Sequence, residues 1–323
     1  MTTAALDDFL VRYAPGPRIA LSPALASARN ALGGVTDTLR PIPDAALPGV
    51  WSKWGPDGEI RYGFYRILEL FESAQVDAEA AVRDAGDRAG TRRSPSGDLC
   101  ALTTAARWDL QGRLAVIDDA ALDADPGDGE WTLRQTMAHV VGGQRGYGWY
   151  TAYWLAQRTP DAGSLPPRVP EEVASQLPEE EVEGRGTLAE IRERFDSVVD
   201  ACTEVLGRLD AEELGFGGRW MGNPVTIGFR IARWSSHIRE HAVQVDKTLA
   251  MIGWQARETD RLLSLVHSAY GRLEAAVYAV PGEVLEWTDA GGRSALTVLG
   301  DAIASAQEAA EEAAATAAQG VAS

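Results

Sequence analysis

The chain has 323 residues and carries 30 Lys and Arg against 47 Asp and Glu, a net charge of −17 with its four histidines neutral. An acidic chain with no dense basic stretch excludes nucleic acid and anionic membrane surfaces as partners, because such binding rests on neutralising phosphates. A hydrophobic fraction of 45% with 24% charged residues is globular in kind, and at roughly 150 residues per domain the length predicts about two domains.

The N-terminal MTTAALDDFLVRYAPGPR lacks a basic start followed by an apolar run, and no stretch of about 18 apolar residues occurs anywhere. The expectation is a soluble chain in the cytoplasm. Cys100 and Cys202 agree with a reducing compartment: they are too few for a disulfide framework and stand in no CxxC pair.

Helical periodicity then dominates, and alternating strand patterns are nearly absent, so the expected fold is all-α. A helix, a polar loop holding a tryptophan and a second helix recur four times, around Trp54, Trp131, Trp220 and Trp287. The first unit runs from ARNALGGVTDTL through PDAALPGVW into YGFYRILELFESAQVDAEAAV. In the second, Leu102, Ala106, Leu110, Leu114 and Ile117 form an apolar stripe, and DDAALDADPGDGEW leads into TLRQTMAHVVGGQRGYGWYTAYWL. The stretch from Thr159 to Gly186 holds five prolines and an EEE run at 179–181 and reads as a long crossing loop, a linker or an active-site lid. The third unit carries the stripe Ile191, Phe195, Val198, Cys202, Val205 and Leu209, then VTIGFRIARWSSHIREHAVQVDKTL. The fourth is LLSLVHSAYGRLEAAV followed by SALTVLGDAIASAQEAAEEAA, whose Ala/Glu-rich part from Ala302 onward reads as a fraying helix. Eight helices suffice for two four-helix bundles. The units divide the chain into an N-terminal helical unit at 1–97, a four-helix bundle at 98–252 and a C-terminal unit at 253–323 that could pack with the first, as a second, degenerate bundle.

Three of the four histidines share a feature. His237 and His241 stand i,i+4, on one face of a helix and about 5 to 6 Å apart, which suits one metal ion with nitrogen ligands at about 2.0 to 2.1 Å. His139 occupies the matching helix of the preceding unit and can reach the same layer of an antiparallel bundle. Three imidazoles without a fourth protein ligand are the donor set of a catalytic rather than a structural site. Imidazole suits zinc, nickel, iron and copper alike, so the metal stays open. His267 has no partner near it in sequence and reads as a core residue.

The same geometry places Gln135, one turn before His139, and Gln244, three residues after His241, toward the metal layer, as orienting amides or as buried amides satisfied by backbone. Arg233, one turn before His237, could meet an anionic substrate or form a surface salt bridge. Glu240 is either a partner of the imidazoles or a surface charge. Gly142, Gly143, Gly146 and Gly148 fall within one helix, where each glycine is disfavoured by about 1 kcal/mol relative to Ala; room for a ligand or a close helix approach would explain them. Tyr147, Trp149, Tyr150, Tyr153 and Trp154 read as core and pocket wall. Dinucleotide, P-loop, nucleophile-elbow and HExxH motifs are missing.

The pattern WTLRQTMAH around His139, followed about a hundred residues later by RWSSHIREHAVQ around His237 and His241, resembles the DinB/YfiT-like metalloenzyme superfamily. The likeness covers about 98–252. It implies a four-helix bundle whose divalent metal (Zn, Ni or Fe) is held by His139, His237 and His241. The superfamily includes mycothiol- and bacillithiol-dependent S-transferases and isomerases, so the resemblance also implies a low-molecular-weight thiol cosubstrate and a small-molecule substrate. The fourth-helix pair is His-x3-His here, where mycothiol-dependent maleylpyruvate isomerases have Glu-x3-His, which counts against that isomerase. The leading expectation is a metal-dependent thiol S-transferase or related activity; the alternatives are a non-catalytic metal-binding interaction protein and a metal-dependent hydrolase. Assembly as a homodimer stays open. The outer units offer Glu69 or Asp301 near the ligand position instead of His.

Overall fold

Eight long helices account for most of the computed structural model, which describes residues 12–14, 16, 18–51, 53, 55 and 57–321. Trp54 and the stretch through residue 11 lie outside the described residues. In chain order the helices are α1 (Pro23–Leu39), α2 (Arg61–Ala89), α3 (Pro95–Leu114), α4 (Leu133–Ala156), the short α5 (Glu171–Ala174) and α6 (Glu180–Glu183), α7 (Leu188–Leu206), the short α8 (Ala211–Gly215), α9 (Ile227–Met251), α10 (Glu258–Val277), the short α11 (Gly282–Leu285) and α12 (Ala295–Val321). Their starts follow from local chemistry. Ser94 caps α3, with Pro95 at its first position, and Thr132 and Thr187 open α4 and α7 with reciprocal capping boxes.

The helices form two rings of four. In one, α3 packs on α9, α9 on α4, α4 on α7 and α7 on α3. In the other, α1 packs on α12, α12 on α2, α2 on α10 and α10 on α1, so the neighbour order repeats. The first ring lies in sequence between the second and third helices of the other. The chain is thus all-α, a four-helix bundle with two-helix units at both ends that build a second bundle.

α3 and α10 form the seam between the bundles. α3 is therefore buried on two faces and does not carry a single stripe; Leu102, expected on the buried stripe, is exposed instead. The two helices meet closely: a Cβ at Gly271 would lie 2.4 Å from Cβ of Trp108, and one at Gly112 would lie 2.8 Å from Cβ of His267. One contiguous apolar core runs through both bundles. A buried ionic network also crosses the seam. Arg107 and Glu274 are fully buried, and Glu274 accepts from Arg107, Arg29, Thr104 and Tyr270, while Asp200 accepts from Arg29, Arg107 and Tyr278. Burial alone would raise the Glu274 carboxyl, but Arg29 and Arg107 outweigh it and hold that group well below the usual carboxylate range.

Three local expectations need correction. The Thr159–Gly186 segment is not a structureless loop, because it holds a 3₁₀ turn at Ala162–Ser164 and the helices α5 and α6, of which α6 packs on α4. The Ala/Glu-rich terminus does not fray from Ala302: Ala306, Ala310, Ala313 and Ala317 are buried against α1 and α2. The sequence pattern predicts no hairpin, yet β1 (Gly217–Trp220) pairs antiparallel with β2 (Asn223–Thr226). Its turn residues Met221 and Gly222 have φ of 48° and 81°, the signature of a two-residue type I′ turn. Among the described residues no helix is long and apolar enough to cross a membrane.

Candidate metal centre

His139 lies in the second turn of α4, and His237 and His241 lie on successive turns of α9, the helix packed against α4. The three rings converge. Nε2 of His237 stands 3.4 Å from Nε2 of His139 and 3.1 Å from Nε2 of His241. Ligands about 2.05 Å from a tetrahedral ion are separated by about 3.3 Å, so the spacing fits one shared ion. Among the described residues these three are the cluster of His, Cys, Asp and Glu side chains with metal-ligand spacing. The protein thus presents a triad able to hold a divalent metal.

The hydrogen bonds on the far side of the rings orient two of these donors. Nδ1 of His139 donates to Glu180, 3.0 Å from Oε1, and Nδ1 of His241 donates to Oε1 of Gln244 at 2.7 Å. A carboxylate and an amide oxygen only accept, so each imidazole carries a proton on Nδ1 and turns Nε2 toward the other rings. Nδ1 of His237 is buried without a protein partner. Burial first, then the neighbouring His241 and His139 and the Arg233 guanidinium, push the His237 imidazole down to about 3. Burial also lowers His241. Both rings are therefore neutral at physiological pH, the form that ligates metal.

The glycines of α4 are explained by close contacts. A Cβ at Gly143 would lie 2.6 Å from Cε1 of His237. One at Gly148 would lie 2.1 Å from Sγ of Cys202, and one at Gly142 would lie 3.2 Å from Cγ of Glu180. Gly143 therefore makes room for a ligand ring, Gly148 admits α7, and Gly142 admits α6. Beneath the site, Arg145 pairs with the buried Glu183 of α6, which anchors the segment bearing Glu180.

The sequence-derived candidates divide. Gln244 reaches His241 as expected. Gln135 does not face the metal layer: it is exposed, and its amide oxygen accepts from the backbone N–H of Thr132 at 2.9 Å, because an N-cap threonine three residues earlier recruits it. Arg233 pairs with the exposed Glu240, and its mostly buried side chain packs on Trp220. Tyr147 is a wall of the site, its ring centroid 5.2 Å from that of His237 and its hydroxyl accepting from Nε1 of Trp220 at 3.2 Å. Trp131 lies 5.1 Å from His139, ring to ring. His267 is buried in the other bundle against Thr36, as its isolation suggested. Glu69 and Asp301 are both exposed, and Glu69 pairs with Arg66. Both cysteines are buried, their thiols pushed up to about 12 by burial, so neither is a nucleophile at neutral pH.

Glu180 is the partner that sequence reasoning missed. It belongs to the EEE run, whose charges look alike in sequence, and only the fold of the connecting segment brings the middle one to His139.

No curated protein and no solved structure matches the chain. The family model of the DinB superfamily matches residues 102–245, from the first turns of α3 to the part of α9 just past Gln244. The matched segment contains all three converging histidines, and residues 102–245 of this chain belong to the DinB superfamily.

Proposed function

We propose that His139, His237 and His241 hold one divalent metal ion and that the protein is a metal-dependent enzyme acting through a thiol or water activated at that ion, most nearly a thiol S-transferase. The observation that carries this reading is the convergence of three Nε2 atoms whose outward nitrogens, on His139 and His241, are tied to Glu180 and Gln244. A bound divalent ion lowers the pKa of a thiol or water so that the nucleophile is an anion at neutral pH. The chain's own residues then have separate tasks. Glu180 and Gln244 hold two rings in one tautomer, Gly143 leaves the third ring its place, and Tyr147, Trp131 and Trp220 limit water at the rim.

The experiment is metal analysis of untagged protein. About one equivalent of zinc, nickel or iron is expected, lost in the His237→Ala/His241→Ala double variant; no metal in either protein overturns the reading. A thermal-shift screen of metals crossed with small thiols then addresses the reaction. A ligand present at about 100 times its Kd stabilises by about 2.7 kcal/mol. A shift requiring metal and thiol together supports the transferase, and a shift from metal alone, whatever the thiol, supports metal-assisted hydrolysis or a non-catalytic metal site.

A further inference from the structure

Arg233 and Arg230 form a cationic wall beside the three histidines. Arg233 stands one turn before His237 with its side chain 15% exposed, its guanidinium 5.6 Å above the Trp220 ring. Its Nη1 donates to Oε1 of Glu240 and to Oγ of Ser236, each at 2.8 Å, while its Nε is buried with no hydrogen-bond partner. Glu240 on the other side of this pair is 57% exposed. The arginine is therefore held by the fold, against Trp220, whereas the carboxylate facing it is more than half exposed to solvent. The pair is bidentate, with Nη2 donating to the other carboxylate oxygen, the geometry a ligand carboxylate would reproduce.

Arg230 lies one turn deeper and is 3% exposed. Its guanidinium donates to Oγ1 of Thr151 at 2.9 Å and to the carbonyl oxygens of Arg219 and Tyr147, none of them charged. A buried cation that lacks a carboxylate partner is costly. Burial pushes this guanidinium down to about 10, against the pull of Tyr147 and Tyr150. Tyr147 sits between the arginines and the histidines, in contact with the His237 ring. The wall thus holds two guanidinium charges and one solvent-exposed carboxylate, in a chain of net charge −17.

We propose that the small molecule served by this centre carries a carboxylate, which takes the place of Glu240 on Arg233 while its reactive group faces the three imidazoles. This rests on the metal reading above and adds the chemical class of the ligand. Glu240 is then a stand-in that keeps Arg233 in position until the ligand arrives, and Arg230 supplies a fixed positive field behind it.

The test compares 3-mercaptopropionate with its uncharged amide, 3-mercaptopropionamide, by calorimetric titration of the zinc-loaded full chain. Both present the same thiol. The acid is expected to bind at least tenfold tighter to the wild type, to lose that preference to within about twofold in Arg233→Gln, and to gain about threefold or more in Glu240→Gln, where the competing charge is gone. Equal binding of acid and amide by the wild type, or a preference that survives Arg233→Gln, overturns the proposal. Zinc content is measured in every sample: full zinc with no preference sinks the carboxylate assignment alone, whereas no zinc in the wild type sinks the metal centre and this proposal with it.

Discussion

Replacing Gly143 with alanine separates the site from the helix that bears it. In an ordinary helix interior the change stabilises by about 1 kcal/mol, since alanine is the better helix former. Here the new Cβ would stand 2.6 Å from Cε1, 3.3 Å from Nε2 and 3.5 Å from Nδ1 of His237. The closest of these is roughly 1 Å inside the optimal carbon–carbon separation. The α4 backbone cannot retreat without loosening its contacts to α7, so the imidazole must turn or slide out of the convergence. Removing a partner that merely orients a ligand reduces metal affinity about 10- to 100-fold, and displacing the ligand itself should reach at least that range. Gly146→Ala is the control, because its nearest neighbours, Leu177 and Tyr150, are 3.9 Å away. Competition titrations of zinc against a chromophoric chelator, with thermal unfolding of the metal-free proteins, read both effects. Gly143→Ala should lose affinity, and Gly146→Ala should gain stability with affinity unchanged. Wild-type affinity in Gly143→Ala, or equal losses in both variants, would refute the placement of His237 as a ligand.

Glu180→Ala should lower metal affinity about 10- to 100-fold with little change in unfolding temperature, because the residue is half exposed and acts through His139; an unchanged affinity in the same chelator titration would remove its positioning role. His267 provides a pH signature unrelated to the site. Burial, then Arg192, pushes it down to about 3, below the unfolded value near 6.5, so its neutral form contributes stability that is present above pH about 6.5 and is lost as pH falls toward 3. From pH 7.5 to 5.5 the advantage of wild type over His267→Gln in urea denaturation should shrink by about 1.4 kcal/mol, and a constant difference would contradict the burial argument. At the seam, Glu274→Gln leaves Arg29 and Arg107 only the partly exposed Asp200 and Asp196 as carboxylate partners and should destabilise by about 3 kcal/mol or more, measured by chemical denaturation; a loss under about 1 kcal/mol would show that the network is not a closed buried cluster.

Much of the site was legible because helical spacing is local. The i,i+4 positions of His237 and His241 place two rings on one face whatever surrounds the helix, and Gln244 is reached by the same rule. His139 could be assigned to the same layer only through the repeat that pairs its helix with theirs. Gln135 obeyed the same spacing, yet an N-cap threonine engages it in the capping box, a local competition that the face argument leaves out.

What the sequence determined by itself is what short-range periodicity and residue chemistry control: an all-α chain, helices in four units, and three imidazoles that can meet. The tertiary structure decided the rest. It set α3 between two bundles, which is why its burial follows no single stripe and why Leu102 faces solvent while Arg107 is buried. It also folded the proline-rich segment onto α4, so that one glutamate of three reaches His139, and it set Arg233 beside Trp220 across a hairpin with no strand pattern. These contacts join residues tens to hundreds of positions apart. Their partners are fixed by packing, desolvation and charge balance in three dimensions, and none of these leaves a period in the chain.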